Sequence, residues 1–317
     1  MTNHITLTGV QPTGDLHLGN YIGAIRPLAG IAAGRPRDVY VFVADLHALN
    51  GRPDPAVLRE RSRRLVAAML ACGLDRSNVH VYRQSRVPAV AGMAALLNNV
   101  AANLAAGRDP DHGMNIGIYG YPVLMAADIL AVDADEVPVG QDQAQHLEIA
   151  VDLAQQFARS YRPGVLREPR ALITREIATL PGLDGRKMSK SYGNAIALMA
   201  APDAMRKQIR RIVTDSTPPD QPKDPDNCTL VALLREFADP GTVAAAEERY
   251  RTGGIGYGEV KALLADAIDA HVAPMRNRYQ RLLTDPAELD ARLARGEQHA
   301  CQRADRTLAR TVAAMGL

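Results

Sequence analysis

The stretch Val39-Tyr40-Val41-Phe42-Val43-Ala44 limits the fold more than any other in the chain. It is a continuous apolar run rich in β-branched residues, the pattern of a parallel strand covered on both faces. Ile5 to Val10 and Val79 to Tyr82 read as further strands. Between them a helix begins near Leu18, and others span Arg59 to Leu70, ending at Gly73, and Pro88 to Leu104. Tyr121 to Val132 is expected to be helical, Glu136 to Val139 a short strand, and Gln143 to Arg159 a helix. Strands alternating with helices imply an α/β fold, a doubly wound parallel sheet with right-handed crossovers. Ligands of such sheets bind just past the carboxyl ends of the strands.

The texture changes further on. Pro202 to Val213 reads as a helix with a basic face of Arg206, Lys207, Arg210 and Arg211, and Ser216 to Asn227 carries four prolines and reads as a linker or exposed loop. Residues 229–315 have helical periodicity, broken at Asp239-Pro240-Gly241, Gly253-Gly254 and Asp285-Pro286. We therefore expect a sheet domain over 1–196, a smaller all-helical domain over 197–292, and a last helix over 293–317 that packs back on the sheet. At 317 residues there is room for two modest domains. No apolar run is long enough to span a bilayer, and Met1-Thr2-Asn3-His4 lacks a signal-peptide pattern. Cys72, Cys228 and Cys301 are odd in number and far apart, which argues against a disulfide framework or Cys-x-x-Cys metal site and fits a reducing cytoplasm. Net charge is only +2, and from residue 201 onward 17 basic residues face 17 acidic ones. A case for nucleic-acid binding must therefore rest on local patches.

Lysine is rationed. The chain has five, Lys187, Lys190, Lys207, Lys223 and Lys261, among 37 basic residues, and none precedes Lys187. Two fall within Gly185-Arg186-Lys187-Met188-Ser189-Lys190-Ser191, flanked by Pro181-Gly182 and Gly193-Asn194. Short basic loops are usually solvated turns. Against an arginine background, lysine marks a place where a compact, mobile ammonium differs from a planar guanidinium. A hinged loop that handles phosphate is the reading favoured here.

A second block, Pro12-Thr13-Gly14-Asp15-Leu16-His17-Leu18-Gly19-Asn20, joins a strand to a helix. Its small residues let a ligand approach the backbone, and free N–H groups at a helix start attract phosphate. A third, Tyr121 to Leu130, puts Tyr121, Met125 and Asp128 on one helical face. A carboxylate beside Leu124 and Met125 needs a donor, and a ligand N–H would serve. A fourth, Val137-Pro138-Val139-Gly140-Gln141-Asp142-Gln143, is again a strand end opening a helix; its polar residues suit caps or a nucleotide.

The second block matches the adenylate-forming signature of class I aminoacyl-tRNA synthetases. With the Lys-Met-Ser-Lys-Ser loop at the expected separation, the chain resembles the tryptophanyl-tRNA synthetase family from end to end, most closely over 9–26, 121–148 and 180–194. The sister tyrosyl family shares the fold and both motifs, but carries a glutamine that helps read the phenol where this chain has Met125. A thioether cannot satisfy a hydroxyl, and a site built on one polar contact discriminates by roughly 10⁴–10⁵.

The resemblance implies a Rossmann-like, HUP-type catalytic domain with a dimer-forming insert around 85–135, a helical anticodon-binding domain, and a homodimer in the cytoplasm. It implies a ligase of protein biosynthesis whose partners are L-tryptophan, ATP with Mg²⁺, and tRNA(Trp). By position, Asp128 accepts the indole N–H, while Leu7, Gly9, Ala44, Met125, Ile129, Val137 and Val139 wall the ring, with His47 near it. Tyr121 and Gln143 hold the α-amino group, and Gln11 lies near the carboxylate or reacting phosphate. Gly140 and Asp142 meet the ribose, and the backbone around Met188 and Ser189 meets adenine. Pro12, Thr13, His17, Gly19, Asn20, Lys187 and Lys190 serve the triphosphate. The chain departs from the family twice. Its loop 107–113 is short and lysine-free, leaving Arg108 as a substitute, and Leu7 stands where an aromatic is common.

Overall fold

A computed structural model describes residues 4–34, 37–101, 116–139, 144–173 and 180–317. Among these, one sheet contains β1 (His4–Val10), β2 (Arg37–Val43), β3 (Val79–Arg83), β4 (Glu136–Val139) and β5 (Arg170–Ile173), all parallel, in the order β3-β2-β1-β4-β5. The side chains of β2 divide by period two. Val39, Val41 and Val43 enter one core cluster and Tyr40, Phe42 and the following Ala44 the other, so both faces are buried as the apolar run requires. β5 is not anticipated from the sequence, because a four-residue edge strand leaves too short a pattern to read.

In chain order the helices are α1 (Leu18–Asn20), which runs through a π-helical turn at Tyr21–Ile25 into α2 (Arg26–Gly34), then α3 (Asp45–Ala48), α4 (Pro55–Met69), α5 (Pro88–Asn98), α6 (Ile116–Ala131) and α7 (Ala144–Ser160). α4 starts earlier than its apolar periodicity suggests. Asp54 caps it by accepting from Ala56 N (2.8 Å) and Val57 N (3.0 Å), and Pro55 sits where no N–H is needed. α5 ends at Asn98, short of the expected Leu104, which lies outside the described residues.

Beyond the lysine loop come α8 (Pro202–Arg210), α9 (Thr229–Phe237), α10 (Pro240–Thr252), α11 (Tyr257–Thr284) and α12 (Pro286–Ala314), with breaks at the three expected places. The proline-rich linker is tied down by lysine. Buried Lys223 donates to the carbonyls of Pro218 (2.7 Å) and Gln221 (3.0 Å), while Lys261 joins α11 to those of Arg210 (3.0 Å) and Ile212 (2.7 Å). α12 is longer than the expected last helix, and its stretch around Gly296 lies on β3, where a Cβ on Gly296 would come 2.0 Å from the Val81 carbonyl oxygen. Only glycine permits that approach. No helix among the described residues is long and apolar enough to cross a membrane.

The site follows from the sheet order. β1 pairs with β2 over seven residues but with β4 only through Thr6 and Glu136. Past that pair β1 and β4 part, at the point where the strand order reverses, and a crevice opens between their carboxyl ends.

Candidate active site

Three adjoining cavities fill this crevice, and Gln11 lines all of them. The first encloses about 200 Å³. Leu7, Gly9, Gln11, Ala44, His47, Tyr121, Met125, Ile129, Val137 and Val139, ten residues picked out from the sequence, all line it. Thr8, Phe42, Pro138 and Leu147 complete the wall. Phe42 was not expected there. Its ring lies over Gly9, where an added Cβ would be 2.3 Å from it, so glycine on β1 gives the aromatic its place. The sequence signal was available in the alternation of β2, since Phe42 shares a face with Ala44. An aromatic from β2 thus stands in the wall to which Leu7 of β1 brings none.

His47 follows β2 on α3 and packs its ring 4.4 Å from that of Tyr121. Asp128 is 1% exposed and does not itself line the cavity. Its Oδ2 accepts from Nε2 of the cavity-lining His47 (3.0 Å) and from Nε2 of Gln84 (2.7 Å), while Oδ1 has no partner among the described residues. Burial pushes the Asp128 carboxyl above its usual range, and the bonds from His47 and Gln84 oppose that rise. Gln84, in the turn after β3, is missed by sequence reasoning, because nothing local distinguishes it from any polar residue at a strand end.

The second cavity, about 290 Å³, runs from β1 along the start of the first helix. Thr8, Gln11, Thr13, Asn20 and Lys190 supply its polar wall. Pro12, Gln11 and Thr13 line the third with Arg61 of α4, an unanticipated cation. His17 lies behind this surface, 7% exposed, in a reciprocal cap. Its Nδ1 accepts from Asn20 N (3.2 Å), and its own N–H donates to Asn20 Oδ1 (3.2 Å). Burial first, and then the charge of Lys190, lower its pKa from 6.5 to about 4. The ring is therefore neutral at pH 7, with its proton on Nε2, the nitrogen left to donate.

The lysine loop sits against this helix start. Gly19 N donates to Met188 Sδ (3.3 Å), and Met188 is buried. Asn194, 3% exposed, organises the loop from within. Its Oδ1 accepts from Ser189 N (2.8 Å), and its Nδ2 donates to Asp184 Oδ1 (2.6 Å) and to the Lys187 carbonyl (3.1 Å). Lys190 reaches the second cavity beside Gly14, and its pKa is lowered by lost hydration and by Arg61, with Asp15 opposing. Lys187 is exposed and lines none of the three cavities. The two lysines are thus not brought together on one wall. Gly140, Asp142, Gln143 and Arg108 lie outside the described residues.

Chemically, a slot with an acid behind it adjoins a chamber whose few polar groups, one ammonium among them, gather at a helix start with a neutral imidazole behind it. That combination suits an aromatic small molecule joined end to end with a polyphosphate.

Comparisons with known proteins agree. Residues 2–273 match the family described as tRNA synthetases class I (W and Y). The chain is 43% identical to a tryptophan–tRNA ligase of Xanthomonas axonopodis pv. citri, covering 93% of this chain and 72% of that one. It is 42% identical to the same enzyme of Pseudomonas aeruginosa, covering 100% and 74%. A crystal structure of tryptophanyl-tRNA synthetase from Campylobacter jejuni with ADP and tryptophan superposes with a TM-score of 0.88 at 35% identity, covering 99% of this chain and all of that one.

Proposed function

Since the chain belongs to the class I tRNA synthetases for tryptophan and tyrosine, we infer that it joins L-tryptophan to tRNA(Trp) at the expense of ATP. An oxygen of the tryptophan carboxylate attacks the α-phosphorus of ATP, the bond to the β-phosphate breaks, and pyrophosphate leaves. The terminal ribose hydroxyl of the tRNA then attacks the acyl carbon and displaces AMP. The protein contributes position and charge rather than a covalent intermediate.

In this reading the indole enters the first cavity, where Met125 and Ile129 pack on it and Oδ1 of Asp128 accepts its N–H. Tyr121 and Gln143 take the ammonium group, and Gln11, common to all three cavities, holds the reacting carboxylate against the α-phosphate. Gly140 and Asp142 meet the ribose. Thr13, Asn20, Nε2–H of His17 and the ammonium of Lys190 receive the triphosphate, which carries its own Mg²⁺. Lys187 joins them when the loop closes, swinging about Gly182 and Gly193 while Met188 and Ser189 border the adenine. The helical part, 197–292, meets the anticodon, with Lys207 and Arg211 on its basic face. The chain acts in the cytoplasm as a homodimer formed around residues 85–135, which gel filtration of the purified protein tests.

One observation supports tryptophan over tyrosine most directly. Met125 lines the aromatic cavity where a phenol reader would need an amide, while an acid with a free oxygen lies alongside. ATP–pyrophosphate exchange with each amino acid is the test. Exchange driven by tyrosine and not by tryptophan would overturn the assignment.

A further inference from the structure

Gln84 lines none of the three cavities of the site, yet it is fully buried at the point where three elements meet. Its Oε1 accepts from the backbone N–H groups of Leu46 (3.1 Å) and His47 (3.3 Å) at the start of α3. An oxygen that takes two donors fixes the amide's orientation, so Nε2 must face Asp128, at 2.7 Å from Oδ2. The same turn is tied to α3 again through Ser85, whose N–H and Oγ donate to Asp45 at 2.9 and 2.5 Å. His47 occupies the remaining side of Oδ2, leaving Oδ1 bare in a buried setting. A buried acceptor without a partner is costly to fold around, and is kept where a ligand completes it.

From this geometry we propose that Gln84 is a positioning residue for tryptophan selection: its amide holds the Asp128 carboxyl by Oδ2 and turns Oδ1 toward the indole N–H. This rests on the reading that Asp128 accepts that N–H. Without the amide, burial has one fewer donor opposing it, so the carboxyl is pushed further up, and one of the two contacts that orient it is gone. A protonated acid accepts more weakly than a carboxylate, and a rotated one no longer aims Oδ1 at the indole N–H. The charged and titratable groups facing Asp128 are His47 and Asp45 on α3 and the phenol of Tyr82 on β3.

The experiment compares L-tryptophan with its benzothiophene analogue, in which sulfur replaces the indole N–H, by ATP–pyrophosphate exchange. The unaltered enzyme is expected to prefer tryptophan by at least about a hundredfold in kcat/KM. Gln84→Met should cut that preference roughly tenfold or more, through KM for tryptophan rather than kcat, with KM for ATP unmoved. Were Gln84 only structural, both amino acids would lose in equal proportion; an unchanged preference overturns the role given to it. An unaltered enzyme with no preference overturns instead the role given to Asp128, a separate result. Gln84→Glu covers the case where the methionine variant does not fold. Its second buried carboxyl beside Oδ2 can hold Asp128 only through a shared proton, so its preference should fall as pH rises and that proton is lost, more steeply than in the unaltered enzyme. A flat profile in the glutamate variant counts against Gln84.

Discussion

On one side of Gln11, Leu7, Phe42, Met125, Ile129 and Val139 come from three strands or strand ends and a helix, close around a slot, and need no motion to do so. On the other, Thr13, Asn20 and Lys190 come from two short stretches of chain, one of them a loop seated by buried Asn194 and Met188. The first cavity has no lysine or arginine in its wall and is backed by a buried acid; the second is lined largely by apolar side chains and admits one ammonium, that of Lys190. The contrast teaches how the work divides. Discrimination among amino acids asks for rigidity, whereas stabilising charge that develops during displacement asks for a group free to follow it.

The contrast can be broken by experiment. The largest effect is expected from Lys190→Ala, which should lower the adenylation rate about a hundredfold to a thousandfold while leaving tryptophan affinity intact. Isotope exchange at saturating tryptophan measures it, and near-normal turnover would dissolve the division. Gly9→Ala is the mirror experiment. Gly9 borders both cavities, but its Cβ would collide with Phe42 of the first (2.3 Å), so KM for tryptophan should rise roughly tenfold to a hundredfold and KM for ATP by much less. Equal shifts in both would mean the cavities are not independent.

Two smaller effects sharpen the boundary between site and scaffold. Gly296→Ala, with a Cβ 2.0 Å from the Val81 carbonyl oxygen, should destabilise by about 1–3 kcal/mol in denaturant titration, with kcat per folded molecule unchanged. A variant as stable as the parent would show that α12 is not seated as described. The smallest concerns pH. Burial lowers His17 from 6.5 to about 4, so between those values the unfolded chain binds a proton that the folded chain refuses. This contribution to stability is complete above pH 6.5 and is lost as pH falls toward about 4. His17→Asn keeps a capping acceptor without the titration, and its loss of stability over that range should be shallower. Parallel slopes would place His17 in contact with water.

Residues 12–20 and 185–191 stand out in the chain itself, because a helix start and a lysine loop are local devices and local devices have contiguous motifs. The Tyr121, Met125 and Asp128 face was legible for the same reason, being a periodicity within one helix. Likewise the run at 39–44 committed the chain to a sheet buried on both sides, through nothing more than apolar side chains alternating along one strand.

What the sequence could not hold were facts about pairs far apart in it. That the amide of Gln84 would meet Asp128, 44 positions away, depends on β3 and α6 arriving at one place. That Lys190 would face a cavity and Lys187 would not depends on how Asn194 and Met188 seat the loop against Gly19. The short edge strand β5 exists because β4 offers it a backbone to pair with, not because four residues favour extension. Periodicity and motif are set by neighbours along the chain and can be read there; hydrogen-bond partners and burial are set by neighbours in space, and only the folded molecule chooses them.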